Sequence, residues 1–262
     1  MRIAFFSDIH GNAIALDAVL ADIQNRGGAD AFWVLGDLAA IGPDPVGVLR
    51  LLADLPDACF VQGNCDRYLV TGERPGPTLE DAQREPRLLR AALDVASSFS
   101  WTQGAVTAAG WVPWLAELPL ERRATLPDGT RLLATHVAPG QADGWGVHPA
   151  LSERELKALV AGCEADLLFV AHTHWALDVQ AGDVRVVNVG SVSNPFPPDL
   201  RACYTLLETD ESGYRLEHHR MDYDREAVIA ETEQVLHPAR RFIARWLRGE
   251  LTPRWTLKER RA

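Results

Sequence analysis

The sequence predicts an α/β protein on three observations: short β-prone apolar runs, intervening stretches with apolar residues at helical spacing, and polar pairs set directly after several of the runs. Ile3-Ala4-Phe5-Phe6 is the first run, and Ala13 to Ile23 carries a helical pattern after a tight loop. Ala31 to Leu35 repeats the strand signal before Gly36-Asp37. Val46 to Ala53 reads as a second helix, and Ala58 to Val61 as a third strand before Gly63-Asn64. That alternation predicts a parallel sheet. From Thr71 to Leu120 a Pro/Gly-rich stretch leads into helical text with no strand pattern, a helical insertion whose Trp101, Trp111 and Trp114 are expected to pack in its core rather than stack on a substrate base. Strand signals return at Arg131 to Thr135. A helix capped by Ser152, with Glu155 completing a capping box, precedes a strand at Leu167 to Val170. Two further runs, from Leu177 and from Val184, flank Ala181-Gly182-Asp183, and they predict a second, largely antiparallel sheet. Arg201 to Glu208 and Tyr214 to His218 read as strands, and the chain ends in helix patterns. The predicted organisation is one domain over residues 1–262, with the insertion over about 71–120 and a C-terminal helical extension over about 222–262.

Composition narrows the function classes. With 262 residues, 47% of them hydrophobic and 24% charged, the chain is expected to be an ordinary soluble globule. It has no apolar run near the roughly 18 residues needed to cross a bilayer. The first apolar stretch is too short for a signal peptide and meets Asp8 at once, so a cytoplasmic protein with no membrane partner is expected. The four cysteines, Cys59, Cys65, Cys163 and Cys203, form no CxxC pair and read as free thiols. A net charge of −10 disfavours a protein that coats nucleic acid through bulk electrostatics. It leaves room for a phosphate-seeking site whose positive charge comes from metal ions. The basic finish from Ala239 reads as a solvated helix face, and His148, His218, His219 and His237 read as surface residues. Oligomeric state is unreadable.

The chemistry lies in polar clusters that mostly follow strand-like runs: Asp8-Ile9-His10, Gly36-Asp37, Gly63-Asn64-Cys65-Asp66, Thr135-His136 and His172-Thr173-His174. In open α/β sheets such strand ends face the ligand crevice. Residues two apart in an extended segment point the same way, so Asp8 with His10, and His172 with His174, can each offer two donors to one locus. With Asp37, Asn64 and His136 these make seven oxygen and nitrogen ligands without a thiolate, enough for two metals sharing a bridging carboxylate, for which Asp37 is the candidate. Such a donor set suits two divalent transition ions among Mn, Fe, Zn, Ni and Co, with manganese favoured. Two dications against two carboxylates and one hydroxide leave about one positive charge, which favours an anionic phosphate.

These blocks resemble the calcineurin-like metallophosphoesterases, whose DxH, GD, GNH(D/E), lone His and GHxH all occur here in order. The resemblance is nearest the small prokaryotic phosphodiesterase branch with a GNCD motif, and it extends to SDIHGN, to Gly42 to Pro45 and to Asn188 to Pro195. It implies a four-layer α/β/β/α double β-sandwich of mixed sheets. One metal would be held by Asp8, His10, Asp37 and His174, the other by Asp37, Asn64, His136 and His172. The implied activity is hydrolysis of a phosphate-ester small molecule or nucleotide by a hydroxide activated between two metals. A phosphodiester is favoured over a phosphomonoester or a dinucleoside tetraphosphate. From another class comes a scaffold subunit that has kept the fold without the catalysis.

Three departures stand out. Ala171 replaces the Gly of GHxH, His136 lies in HVAPG where HGxP is common, and Cys65 replaces the His that stabilises the transition state or protonates the leaving oxygen in the family. Cys65 is therefore either a catalytic substitute or a buried inert thiol. Asp66, freed from orienting a histidine, is expected to position water or substrate. Without an imidazole at position 65, leaving groups of low pKa are favoured, such as aryl esters or phosphoanhydrides.

Overall fold

The computed structural model describes residues 1–253 and Thr256. Part of the basic C-terminal finish lies outside the described residues. Strands β1 (Arg2–Phe6), β2 (Ala31–Val34) and β3 (Ala58–Phe60) run parallel, connected by helices α1 (Ala13–Asn25) and α2 (Pro45–Ala53). Each helix starts where a side chain accepts an otherwise unpaired N–H: Asn12 Oδ1 from Ala15 at 3.0 Å, and Asp44 Oδ1 from Gly47 at 2.8 Å. Helices α3 (Asn64–Thr71), α4 (Leu79–Arg84), α5 (Leu89–Ala108) and α6 (Val112–Ala116) follow. Then come β4 (Glu121–Thr125), β5 (Arg131–Thr135), α7 (Glu153–Val160), β6 (Leu167–Val170), β7 (Leu177–Ala181) and β8 (Val184–Asn188). Strands β9 (Ala202–Asp210) and β10 (Gly213–Met221) and helices α8 (Arg225–Gln234) and α9 (Arg240–Leu247) complete the described elements.

Both sheets are mixed, which corrects the expectation of one parallel and one largely antiparallel sheet. The first has the order β10-β9-β1-β2-β3, with β9 antiparallel to β1 and to β10. The two-residue link between β9 and β10 is too short for a crossover and enforces a hairpin. The second has the order β4-β5-β6-β8-β7; its three central strands are parallel and both edges antiparallel. Helix α7 makes β5 and β6 a crossover unit, and the return strand of the β7–β8 hairpin runs parallel to β6. Strand β4 gave no sequence signal, because ERRAT is a charged, solvent-facing edge.

Alternation along the strands builds the layers. Phe5 stacks on Phe169 at 3.8 Å between the sheets, joined there by Trp33, Leu132, Val187 and Leu207. Ala4, Phe6 and Val34 face the other way, against α1, α2 and the buried Phe99, Leu115, Val228 and Ile243 of the later helices. Leu133, Leu168 and Val186 cover the outer face of the second sheet against Leu156 and Val160 of α7. The result is the four-layer α/β/β/α sandwich. No helix among the described residues is long and apolar enough to cross a membrane.

His237 is fully buried, contrary to expectation. Its Nδ1 accepts the Ala239 N–H at 3.1 Å and its ring lies edge-on to Trp101 at 4.6 Å. A lone histidine in a polar turn carries no local sign of burial; the docking of α8 and α9 on α5 supplies it.

Candidate metal centre

The polar clusters converge at the carboxyl ends of β1, β2, β5 and β6 and at the first residue of α3. They do so by a route that strand periodicity does not describe. Asp8, His10, Asp37, His172 and His174 all adopt left-handed backbone, with φ of 53°, 49°, 53°, 69° and 56°. Each such residue costs roughly 1–3 kcal/mol and persists only where its surroundings over-determine it. Here the ladder continues past the strand ends: Asp8, His10 and Gly11 donate their N–H groups to the carbonyls of Gly36, Asp37 and Leu38 at 3.1, 3.0 and 2.9 Å. The glycines beside Asp37 and Asn64 are steric requirements. A Cβ on Gly36 would lie 2.4 Å from Gly63 N, and one on Gly63 2.2 Å from Asp37 Oδ1. Ala171 is buried, and its φ is not positive, so alanine fits where the resembling family has glycine.

All seven predicted donors are brought together. His174 Nε2 lies 3.2 Å and His10 Nε2 3.7 Å from Asp8 Oδ1. Asp37 Oδ2 stands in the middle, 3.7 Å from His10 Nε2 and 3.5 Å from His136 Nε2. Beyond it, Asn64 Oδ1 is 3.1 Å from His136 Nε2 and 2.7 Å from His172 Nδ1. Asp37 therefore stands between two groups of donors.

The orientation of the imidazoles fits a cation. Each of the four rings faces a backbone carbonyl with its outer nitrogen: His10 Nδ1 and Ala40 O at 3.2 Å, His136 Nδ1 and Leu35 O at 2.6 Å, His172 Nε2 and Gly144 O at 3.0 Å, and His174 Nδ1 and Asn194 O at 3.0 Å. In the neutral ring, donation to those carbonyls leaves the lone pair on the inner nitrogen, where a cation can take it in place of a proton. His10 Nε2 and His174 Nε2 lie 3.2 Å apart, and the buried Asp8 Oδ1 has no hydrogen-bond partner among the described residues. Carboxylate, amide oxygen and imidazole together suit a borderline transition metal.

The buried groups shift one another's protonation. Burial raises the Asp8 and Asp37 carboxyls, yet the neighbouring His174 for Asp8 and His136 for Asp37 hold both below the usual range. Burial lowers His136, but the Asp37 carboxylate outweighs it and raises the ring to about 10; His10 rises for the corresponding reason beside Asp8 and Asp37. His172 goes down, by burial and by the nearby His136. Two buried carboxylates thus draw positive charge into the centre.

Cys65 and Asp66 have separate places. The Cys65 thiol borders the centre, its Sγ grouped with donor atoms of His10 and Asp37, all within 4.8 Å of one another. Burial, with the Asp37 charge added, pushes it well above the ordinary thiol value. Asp66 is fully buried and accepts three backbone N–H groups, from Asp37 at 2.8 Å, Gly63 at 2.9 Å and Leu38 at 3.0 Å. It clamps the turn that carries Asp37 to the start of α3, and burial beside Asp37 pushes its carboxyl up to about 6.

Several supporting residues escaped sequence reasoning. Asn188 donates to Ala171 O at 2.8 Å and Thr173 Oγ1 at 2.9 Å, holding the turn between the two histidines of that block. Ser191 Oγ donates to Asp8 O at 2.9 Å. Both lie in the NVGSVSNP stretch, whose density of small polar residues straight after a strand was the available signal. Asp143, which holds the loop of Gly144 through Arg67 Nη2 at 3.2 Å and through the Tyr68 hydroxyl, gave none.

The family model described as the calcineurin-like phosphoesterase superfamily domain matches residues 1–212. The uncharacterized protein MJ0912 of Methanocaldococcus jannaschii is 28% identical over 244 residues, covering 85% of this chain and 88% of its own. A protein named bis(5'-nucleosyl)-tetraphosphatase, symmetrical, from a Shewanella species is 28% identical over 159 residues, 58% of this chain and 49% of that one. Among solved structures, a metallophosphoesterase from Sphaerobacter thermophilus superposes with a TM-score of 0.74 at 23% identity, covering 96% of this chain and 99% of its own, a likeness of fold.

Proposed function

This chain belongs to the calcineurin-like phosphoesterase superfamily, and on that premise we propose that it is a hydrolase of phosphodiester bonds that works with two divalent ions, manganese favoured. The observation that carries the reading is the convergence of six inward-facing donors around a seventh, Asp37. Asp8, His10 and His174 would complete one ion's ligands with Asp37, and Asn64, His136 and His172 the other's. Ions held there would supply the positive charge that favours an anionic phosphoester and would lower the pKa of water toward neutrality.

The protein's part is preorganisation. Four carbonyls hold the imidazoles with their lone pairs inward, so no ring has to turn when a ligand arrives. Asn64 adds a donor without adding negative charge, leaving the two carboxylates too few to cancel two dications. Asp66 acts through Asp37 and α3 as a positioning residue. Cys65, a buried thiol, is a poorer proton donor to a departing alkoxide than the imidazolium that the resembling family places there. This favours leaving groups that need no proton, hence aryl diesters over alkyl monoesters.

A second reading, hydrolysis of dinucleoside tetraphosphates, is favoured by the relatives named for that activity and by the low-pKa phosphate leaving group. Steady-state rates with added Mn²⁺ on an aryl phosphodiester, an alkyl monoester and diadenosine tetraphosphate separate the readings. The diester is expected to turn over fastest. Comparable turnover of the alkyl monoester overturns the preference, a faster dinucleotide installs the second reading, and a chain that neither binds Mn²⁺ nor cleaves any of the three is a binding scaffold.

A further inference from the structure

The family match ends at residue 212, yet an element beyond it reaches the centre. Trp246 of α9 stacks on the His174 imidazole, with centroids 5.1 Å apart and planes at 22°, and His174 stacks in turn on His10 at 5.0 Å and 23°. Trp246 also lies 6.3 Å from His10 itself and 5.9 Å from Phe196. Its indole Nε1 is buried with no hydrogen-bond partner among the described residues, and it is the ring face that meets His174.

The same extension holds the segment that orients His174. The Asn194 carbonyl sits opposite His174 Nδ1, and the Tyr223 hydroxyl donates to the carbonyl of Ser193 next to it. Arg225 Nη1 donates to Leu200 O at 3.1 Å. Past the end of α9, Gly249 turns with φ of +71° so close to the loop that a Cβ there would lie 2.9 Å from Leu200 Cδ1 and 3.2 Å from Pro197 Cγ. Ile243 and Leu247 bury the inner face of α9 in the core. Ring contact and loop support are separate observations, and both act on His174.

We propose that the α8–α9 extension is a built part of the metal centre, with Trp246 a positioning residue that strengthens cation binding at the Asp8, His10, Asp37 and His174 half alone. The proposal rests on the metal-centre reading above. An imidazole that shares its inner lone pair with a cation becomes electron-poor, and the electron-rich face of an indole stabilises it in that state more than in the free state. Stacking also restrains the ring at the angle its carbonyl partner sets. Among the described residues His136 and His172 have no such neighbour: they meet each other edge to face at 5.3 Å and 76°.

The test is a Mn²⁺ titration of the full chain, free ion read by electron paramagnetic resonance, on wild type, Trp246→Leu and Trp246→Phe, with His174→Asn marking which ion belongs to this half. Trp246→Leu is expected to weaken that ion about tenfold and leave the other unchanged, and Trp246→Phe to keep both near wild type. Two ions bound by wild type with unaltered affinities in Trp246→Leu overturn the proposal alone. Equal weakening of both ions in the leucine variant, unrescued by phenylalanine, also overturns it in favour of a structural role. A wild type that takes up no Mn²⁺ overturns the metal-centre reading and this proposal with it.

Discussion

The two halves of the centre share Asp37 but are held by different physics. On one side His10 and His174 are almost fully buried, stacked face to face and backed by Trp246, with their ring nitrogens on carbonyls of buried loops. On the other, His172 is only half-buried and leans on the Gly144 carbonyl, in a loop whose neighbouring Asp143 is secured by Arg67 and Tyr68. Apolar packing is indifferent to salt and restrains a ring from every side. A partly exposed ion pair contributes little and is screened. The difference assigns rigidity to His10 and His174, a rigidity that the fully buried His136 shares, and adjustability to His172.

The largest expected effect erases the comparison. Asp37→Asn removes the one carboxylate both halves use, so turnover of an aryl phosphodiester is expected to fall on the order of a thousandfold. Mn²⁺ stoichiometry measured by equilibrium dialysis should drop for both ions together. Loss of a single ion would show that Asp37 is not shared.

Acid is expected to act on the packed half through its support. His237, at the turn between α8 and α9, is pushed down to about 4 by burial. A buried histidine kept neutral binds fewer protons than the unfolded chain, whose value is near 6.5, so its contribution to stability is whole above that and shrinks as pH falls. The loss is complete below about pH 4. At pH 5 it amounts to roughly 2 kcal/mol. His237→Gln, which keeps an acceptor for the Ala239 N–H, should flatten the urea-unfolding stability between pH 7 and 5; an unchanged pH dependence would place the acid sensitivity elsewhere.

The smallest effect sharpens the contrast. Asp143→Ala frees the loop that orients His172 and is expected to weaken only the ion held by Asn64, His136 and His172, by about tenfold. The weakening should be less distinct from wild type at high salt, where the pair is already screened. Isothermal titration with Mn²⁺ at low and high salt measures both, and a salt-independent difference would show that the loop is held by packing after all.

Much of this centre was legible because its chemistry is local. Asp8, His10, Asp37, Asn64, His136, His172 and His174 each stand at the end of a strand or the start of a helix, where a change of pattern marks them. Even so, the reason first given for their convergence does not hold: the residues two apart leave their strands through left-handed turns, a backbone state no side-chain periodicity reveals, and His172 and His174 serve opposite sides of Asp37 instead of one locus. Asp66 was legible as a site residue but not as a clamp, since its three N–H donors come from Asp37, Leu38 and Gly63 across a turn that only folding closes. Trp246 and His237 were illegible, one read within a basic tail and the other as a surface side chain.

Strand and helix patterns, glycines at tight turns and the ordered acid, amide and imidazole blocks determine by themselves that this chain builds an α/β sandwich with a phosphoesterase-type centre. Those signals survive in one dimension because each depends on neighbours a few residues away. Strand direction in both sheets, the lone pairs turned inward by four carbonyls, and the indole laid on His174 were decided only in three dimensions. They join residues tens to hundreds of positions apart, and burial creates them by excluding the water that would otherwise satisfy every one of these groups separately.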